Sequence, residues 1–341
     1  MNVYARYFPS FGGLYADWRL AGTLLPDTFL VRTAAIVINP IDAKMLDHGG
    51  SIGAVSGYDF AGTVIAAGEN KSKPDVGAFS EYVRASPDLV LKIPETMTFE
   101  EAATLGMGIS TAVLALFVEL QIPATLEELC RIKNSGNSQV TGGCFVLVAG
   151  GSAATGTRAI QLLKLAGLHP ITTCSPSNFE LVRRFGAEKA FDYRSLTAAA
   201  DIRAYTNNGL AYAFDCVSLP ETTQLCYNAM GRAGGRYCSL EPFRETVTQN
   251  RALTIQPSWI VSLTVFGSEI YTDGHYDRDA SPEHYKFGVR AYEVVQELLN
   301  RGLIKPHPVK KMPGGWEGVI QGVELIRQQA TSGFKLVYSV A

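Results

Sequence analysis

Chemistry is first suggested by the run Gly150-Gly151-Ser152-Ala153-Ala154-Thr155-Gly156. Small side chains let a backbone approach a pyrophosphate, and a helix that begins there offers free N–H groups and the positive end of its dipole. Gly156 would let that helix pack closely on the preceding strand. Ser152, Ala153, Ala154 and Thr155 are therefore candidate contacts to a dinucleotide, with a tight, ligand-free turn as the alternative. A second corner follows at Thr173-Cys174-Ser175-Pro176-Ser177-Asn178. An NAD enzyme usually carries Asp or Glu there to bind the ribose 2′-hydroxyl, and no carboxylate is present. Ser175, Ser177 and Asn178 can donate to a 2′-phosphate without repelling it, which favours NADPH over NADH. Glu180 is close in sequence, but helical spacing should turn it outward. The same cluster would also serve as a plain helix N-cap.

Both readings need strands and helices in alternation. Cys144–Ala149 (CFVLVA) is a continuous apolar run, as expected for a strand buried on both faces. Helix near Thr155–Ala166, strand Pro170–Cys174, helix Asn178–Phe185, strand Ala190–Asp192, strand Tyr212–Cys216, helix Glu221–Met230 and strand Gly235–Leu240 then follow. This alternation predicts a doubly wound parallel sheet. The first third reads differently. Phe29–Ile38, Tyr58–Ala67, Ala78–Val83 and Leu89–Ile93 are short strands separated by Gly, Pro and Asp, with a turn at Asn39-Pro40. Thr98 and Glu101 have capping-box spacing ahead of a helix over Glu100–Leu120, and Ala124–Gly143 reads as a surface loop. The tail predicts a helix from Lys286 to near Gly302, a Pro-rich link at Pro306–Pro308, a helix near Trp316–Gln328 and a strand at Lys335–Val340. The expected fold class is α/β: a β-rich domain over residues 1–112, a Rossmann domain over 113–280 and a return to the first domain over 281–341.

The chain has 341 residues, which suits two domains of ordinary size. Lys+Arg 30 against Asp+Glu 32 leaves a formal charge of −2, so no global field attracts nucleic acid or an anionic membrane. Cys130, Cys144, Cys174, Cys216, Cys226 and Cys238 form no CxxC pair, which argues against a disulfide scaffold. No basic, apolar leader opens the chain and no uninterrupted apolar run of about 18 residues follows, so a cytoplasmic location is expected.

The segments VLVAGGSAATGTRAIQLLKLAG, ITTCSPSNFELVRRFGAEKAFDYRS and GRAGGRYCSLEPF, with INPIDAKM, YDFAGTV, GAFSEYV and GISTA, resemble the trans-acting enoyl reductases of fungal polyketide synthase clusters. That family is a lovastatin-type branch of the medium-chain dehydrogenase/reductase superfamily. The resemblance implies a GroES-like catalytic domain with a Rossmann domain. It also implies NADPH-dependent reduction of an α,β-unsaturated thioester held on a partner polyketide synthase's carrier protein, and a monomer. Its cofactor contacts fall on Ile41, Asp42, Ala43, Lys44, Ser152, Ala153, Ala154, Thr155, Ser175, Pro176, Ser177, Asn178, Tyr193, Leu240, Glu241, Ser332 and Gly333. Its substrate channel falls on Thr111, Ala112, Leu263, Thr264, Val265, Phe266 and Gly267.

Lys44 matches the family's active-site lysine and is the candidate cation for the substrate carbonyl; Thr111 is the second catalytic candidate. Zinc-dependent relatives carry a His-Glu pair where this chain has Gly57-Tyr58-Asp59, and its five His show no ligand spacing, so no metal is expected. The chain departs from the family in the short stretch Ala67–Val76, where a strand is expected to be missing, and in its opening residues. Two other functions stay open: a stand-alone quinone or enone reductase, and a non-catalytic, NADPH-binding accessory of the synthase.

Overall fold

A computed structural model describes residues 2–8, 13–19, 28–48, 54–68, 77–131, 143–272 and 275–340. In chain order the elements begin with β1 (Asn2–Phe8), β2 (Gly13–Arg19), β3 (Phe29–Val37), α1 (Pro40–His48), β4 (Asp59–Ala67), β5 (Tyr82–Ala85), α2 (Phe99–Ala102), α3 (Gly106–Val113) and α4 (Leu126–Leu129). Then come β6 (Phe145–Ala149), α5 (Ala154–Leu165), β7 (His169–Cys174), α6 (Phe179–Arg184), β8 (Lys189–Asp192), α7 (Ala198–Tyr205), β9 (Tyr212–Asp215), α8 (Pro220–Ala229), β10 (Gly235–Ser239), α9 (Glu245–Thr248) and β11 (Ile255–Trp259). The chain closes with α10 (Pro282–Asn300), β12 (Val309–Met312), α11 (Gly315–Arg327) and β13 (Lys335–Ser339).

Two compact units result: Met1–Met107 with Phe266–Tyr292 and Pro306–Ala341, and Gly108–Val265 with Glu293–Lys305. The sequence reading sets the passages at 112/113 and 280/281.

In the first unit β12, β13, β3 and β4 form one sheet in that order, β5 pairs with β3, and β1 pairs with β2 as a separate hairpin. Its core gathers Ile36 from β3, Ile38 just after it, Ala43 and Leu46 from α1, Val319 and Val323 from α11, and Leu336 and Tyr338 from β13. In the second unit six parallel strands run in the order β11-β10-β9-β6-β7-β8. This is the doubly wound order, reversing between β6 and β9. The run 146–149 of β6 is buried throughout, as a central strand covered on both faces requires.

Several expectations are corrected. Asn39-Pro40 opens a helix instead of a turn: Pro40 is its first residue, where a missing N–H costs nothing, and the Asp42 carboxylate accepts from Asn39 N at 2.6 Å. Leu89–Ile93 forms no strand, because Pro87 starts a short 3₁₀ turn there. The strand read over Ala78–Val83 lies at Tyr82–Ala85. The helix read over Glu100–Leu120 is divided. The Thr98–Glu101 capping box opens only the short α2, the helix restarts at Gly106, and a π-helical turn continues it over Leu114–Glu119. Phe99–Glu119 holds no continuous run of 18 apolar residues, as expected, but by length and mean hydropathy it could cross a membrane; 67% of its most apolar window is buried inside the fold.

Ala124–Gly143 contains α4, with a second capping box at Thr125 and Glu128 and with Leu126 and Leu129 buried. β11 escaped the sequence reading because Pro257 interrupts it, which a sheet edge tolerates. Of the shortened stretch Ala67–Val76, positions 69–76 lie outside the described residues.

Candidate functional site

The glycine run lies where the sequence places it, between β6 and α5. Gly150 has φ +77°, and Gly150 O accepts from Ala153 N at 2.9 Å to close the turn. A Cβ on Gly151 would strike Thr172 Oγ1, and one on Gly156 would lie 2.5 Å from Gly150 O, so larger residues would push the loop away from the sheet. The N-cap of α5 is Ala153, which makes no side-chain cap. The first-turn N–H groups of this 12-residue helix are thus left to an anionic ligand or water. The loop fits the pyrophosphate of a pyridine dinucleotide.

At the end of β7, Ser175 and Asn178 stand at the N-cap positions of a short 3₁₀ turn (Pro176–Asn178) and of α6. Neither Ser175 nor Asn178 uses its side chain to cap the turn or α6; the turn is held instead by Asn178 N donating to Ser175 O at 2.8 Å. Pro176 and Ser177 are exposed, and Glu180 is exposed as expected. Cys174 pairs with Asp192 across β7 and β8, which brings the start of the Ser175 corner beside Tyr193 at the adjacent strand end. Tyr193 is 45% exposed, with the Arg194 guanidinium 5.3 Å from its ring centre.

Leu240 is held by a buried polar network that the sequence did not reveal. Asp215, the last residue of β9, accepts from Val217 N (3.0 Å), Ser218 N (2.9 Å), Thr222 Oγ1 (2.8 Å) and Tyr237 OH (3.0 Å). Burial pushes its pKa up against the pull of those four donors. Ser218, at φ +61°, donates to Asp215 O and accepts from Leu240 N at 2.8 Å. The carboxylate therefore sets both the β9–α8 turn and the backbone at Leu240. Glu241 follows, its carbonyl accepting from Ser239 Oγ at 2.8 Å. An acidic residue closing an apolar strand was the one sequence signal for this network.

In the first unit, Ile41, Asp42, Ala43 and Lys44 occupy the first turns of α1. Ala43 and Leu46 bury against the α11 and β13 residues of the core, which leaves Lys44 half-buried on the adjoining face. Asp42 is buried; one oxygen accepts from Asn39 N and the other finds no partner. Burial pushes its pKa up to about 8, with Asp59 adding to the rise and Asn39 and Lys335 opposing it. The Tyr58 phenol is raised as well, first by burial and then by Asp42.

Ser332 and Gly333 precede β13, Gly333 with φ +74°. Thr111 and Ala112 are buried in α3. Leu263, Thr264, Val265 and Phe266 lie in a 3₁₀ turn over Ser262–Phe266 that ends at Gly267, with Thr264 and Val265 buried and Phe266 exposed. Ile41–Lys44, Phe266, Gly267, Ser332 and Gly333 belong to the first unit, and the other candidates to the second.

The donor set does not fit a catalytic zinc. Asp59 sits where a metal ligand would be needed, yet one of its oxygens accepts from Lys335 Nζ and Asn39 Nδ2 and the other from Met107 N. Among the described residues no group of three or more His, Cys, Asp or Glu could hold a metal. None of the six cysteines forms a disulfide, and burial pushes the thiols of Cys216, Cys226 and Cys238 up.

Comparison with known proteins places these features. Residues 154–282 match the family described as zinc-binding dehydrogenase. The trans-enoyl reductase caaB of Aspergillus niger is 56% identical over 336 residues, covering 93% of this chain and 91% of that protein. Trans-enoyl reductases traG of Penicillium crustosum and thnE of Trichoderma harzianum are 53% and 50% identical, covering 92% and 93% of this chain and 90% of each relative. Among solved structures, CurK enoyl reductase superposes with a TM-score of 0.74 at 18% identity, covering 99% of both chains. The quinone oxidoreductase of Coxiella burnetii superposes at 0.70 with 20% identity and full coverage of both, and these two likenesses speak to fold alone. With half or more of the aligned positions identical to those of three such proteins, over nine-tenths or more of each, and with a dinucleotide loop on a doubly wound sheet, this chain belongs to the trans-enoyl reductase family of the medium-chain dehydrogenase/reductase superfamily.

Proposed function

We propose that this enoyl reductase takes NADPH and reduces the α,β double bond of a polyketide thioester carried by a partner polyketide synthase, itself acting as a monomer. The observation that carries the cofactor choice is the corner after β7. Neither Ser175 nor Asn178 makes a side-chain cap bond, no carboxylate occurs within residues 174–178, and the neighbouring Asp192 of β8 faces the Arg194 guanidinium at 3.6 Å. Ser152–Thr155 would face the pyrophosphate at the uncapped start of α5, Tyr193 the 2′-phosphate corner, and Leu240 and Glu241 the cofactor from the end of β10. Ile41–Lys44, Ser332 and Gly333 complete the set.

A nicotinamide held by these residues would supply the hydride that the β-carbon of the substrate accepts. The chain must then answer the negative charge that develops on the thioester oxygen. Lys44 is the cation assigned to it, in place of the Lewis acid that the Asp59 region does not provide. Thr111 orients the substrate or the nicotinamide amide, and Ala112 with Leu263–Gly267 lines the acyl chain. The α-carbon of the resulting enolate takes its proton last, from solvent.

The test is NADPH oxidation by purified protein with an enoyl-pantetheine thioester, with and without a synthase bearing a carrier-bound substrate. We expect weak turnover of the free thioester and faster turnover on the carrier. Turnover of simple quinones with none of the thioester would overturn the proposal in favour of a stand-alone quinone reductase. Tight NADPH binding with no turnover on any substrate would favour an accessory role.

A further inference from the structure

Three side chains of the first unit close a buried triangle. Lys335 Nζ, at the start of β13, donates to Asn39 Oδ1 at 2.7 Å and to Asp59 Oδ2 at 2.8 Å, and Asn39 Nδ2 donates to the same Asp59 oxygen at 3.0 Å. The Lys335 and Asp59 side chains are only 8% and 2% exposed. Asp59 Oδ1 reaches the opening of α3, accepting from Met107 N at 2.7 Å, and a Cβ on Gly106 would fall 2.6 Å from that oxygen. Asn39 is the N-cap residue of α1, and its backbone N–H is held by Asp42. The triangle therefore ties the start of α1 to β4, β13 and the first turn of α3, and Lys44 lies on α1 two residues beyond Asp42.

A buried ion pair is poor value as a source of stability, because desolvating both ions offsets most of their attraction, and an apolar pair of similar volume does as well. What the pair does supply is direction. Each hydrogen bond fixes one element relative to another, and Asn39 is bound from both sides. We propose that Asp59 and Lys335 are positioning residues for the reduction, acting through Asn39 to hold the start of α1 and so to set where the Lys44 ammonium stands. The proposal rests on the reading of Lys44 given above.

The test compares the Asp59→Asn/Lys335→Met double variant, Lys44→Ala and the triple variant by kcat, by KM for the enoyl thioester and by thermal unfolding. Asn at position 59 can still accept from Met107 N, and removing both charges together leaves no buried ion unpaired. We expect the double variant to fold, to keep KM within roughly threefold and to lose roughly tenfold or more in kcat. With Lys44 already replaced, the same double change should alter kcat by less than about twofold, since the two act as one unit.

A purely structural role would lower turnover by the same factor in both backgrounds, and that result overturns the proposal. So does native kcat in the double variant beside an impaired Lys44→Ala, which leaves the Lys44 reading standing. Native turnover in Lys44→Ala itself overturns both. Should the double variant fail to fold, Asn39→Ala keeps the Lys335–Asp59 pair and cuts only its link to α1, and it carries the same expectations.

Discussion

Replacing Asp42 by Asn should make the protein more stable, and increasingly so as pH rises. In the native protein this buried carboxyl is faced by Asn39 and Lys335, which favour its charge, and by Asp59, which opposes it; Tyr58 is close enough to feel it. Burial dominates, so the group titrates near 8 in place of 3.8. Between about pH 4 and pH 8 the folded protein keeps a proton that the unfolded chain has released. The unfolded state then binds fewer protons, so stability falls with rising pH across that window and levels off above it.

Each pH unit of the window is worth about 1.4 kcal/mol, which sets an upper limit of roughly 6 kcal/mol. Relaxation around the ion and residual structure in the unfolded chain reduce this to roughly 2–5 kcal/mol. Asn at position 42 keeps an acceptor for Asn39 N and has no charge to bury. Urea unfolding of both proteins at about pH 5, 7 and 9 gives the comparison. The stability gap should widen by at least about 2 kcal/mol from the lowest to the highest pH. Parallel stability curves for the two proteins would refute the reasoning.

Ser175→Asp should weaken NADPH binding roughly tenfold or more while changing NADH binding far less, read by fluorescence titration of both cofactors; equal losses would remove Ser175 from the 2′-phosphate corner. Asp215→Ala should cost roughly 3 kcal/mol in chemical denaturation, because buried Thr222 and Tyr237 hydroxyls and two turn N–H groups lose their common acceptor. A loss under about 0.5 kcal/mol would show that water replaces the carboxylate.

Much of the second unit was legible from local pattern. A strand buried on both faces must be apolar along its whole length, and Cys144–Ala149 announces β6 in that way; the small residues after it announce a loop against the sheet because side chains there would collide with Thr172 and Gly150. The missing carboxylate after Thr173 is likewise a fact of composition at a known corner. That neither Ser175 nor Asn178 makes a side-chain cap bond was not legible, since residue type permits a cap and only the local backbone geometry decides whether it forms. The division of the helix at Thr104–Leu105 escaped notice for a related reason. Its residues are mostly apolar on both sides of the break, and what restarts the helix at Gly106 is an Asp59 carboxylate 48 positions from Met107 in the chain.

The buried charges lay furthest from the sequence. Asn39, Asp42, Asp59 and Lys335 read singly as a turn residue, a cofactor contact, a non-ligand and a strand residue, and the ion pair joins positions 276 apart. Sequence determines which groups can ionise and donate. Only the tertiary fold determines which of them lose their water together, and it is this shared desolvation that raises Asp42, joins Asp59 to Lys335 and ties both to the helix that carries Lys44.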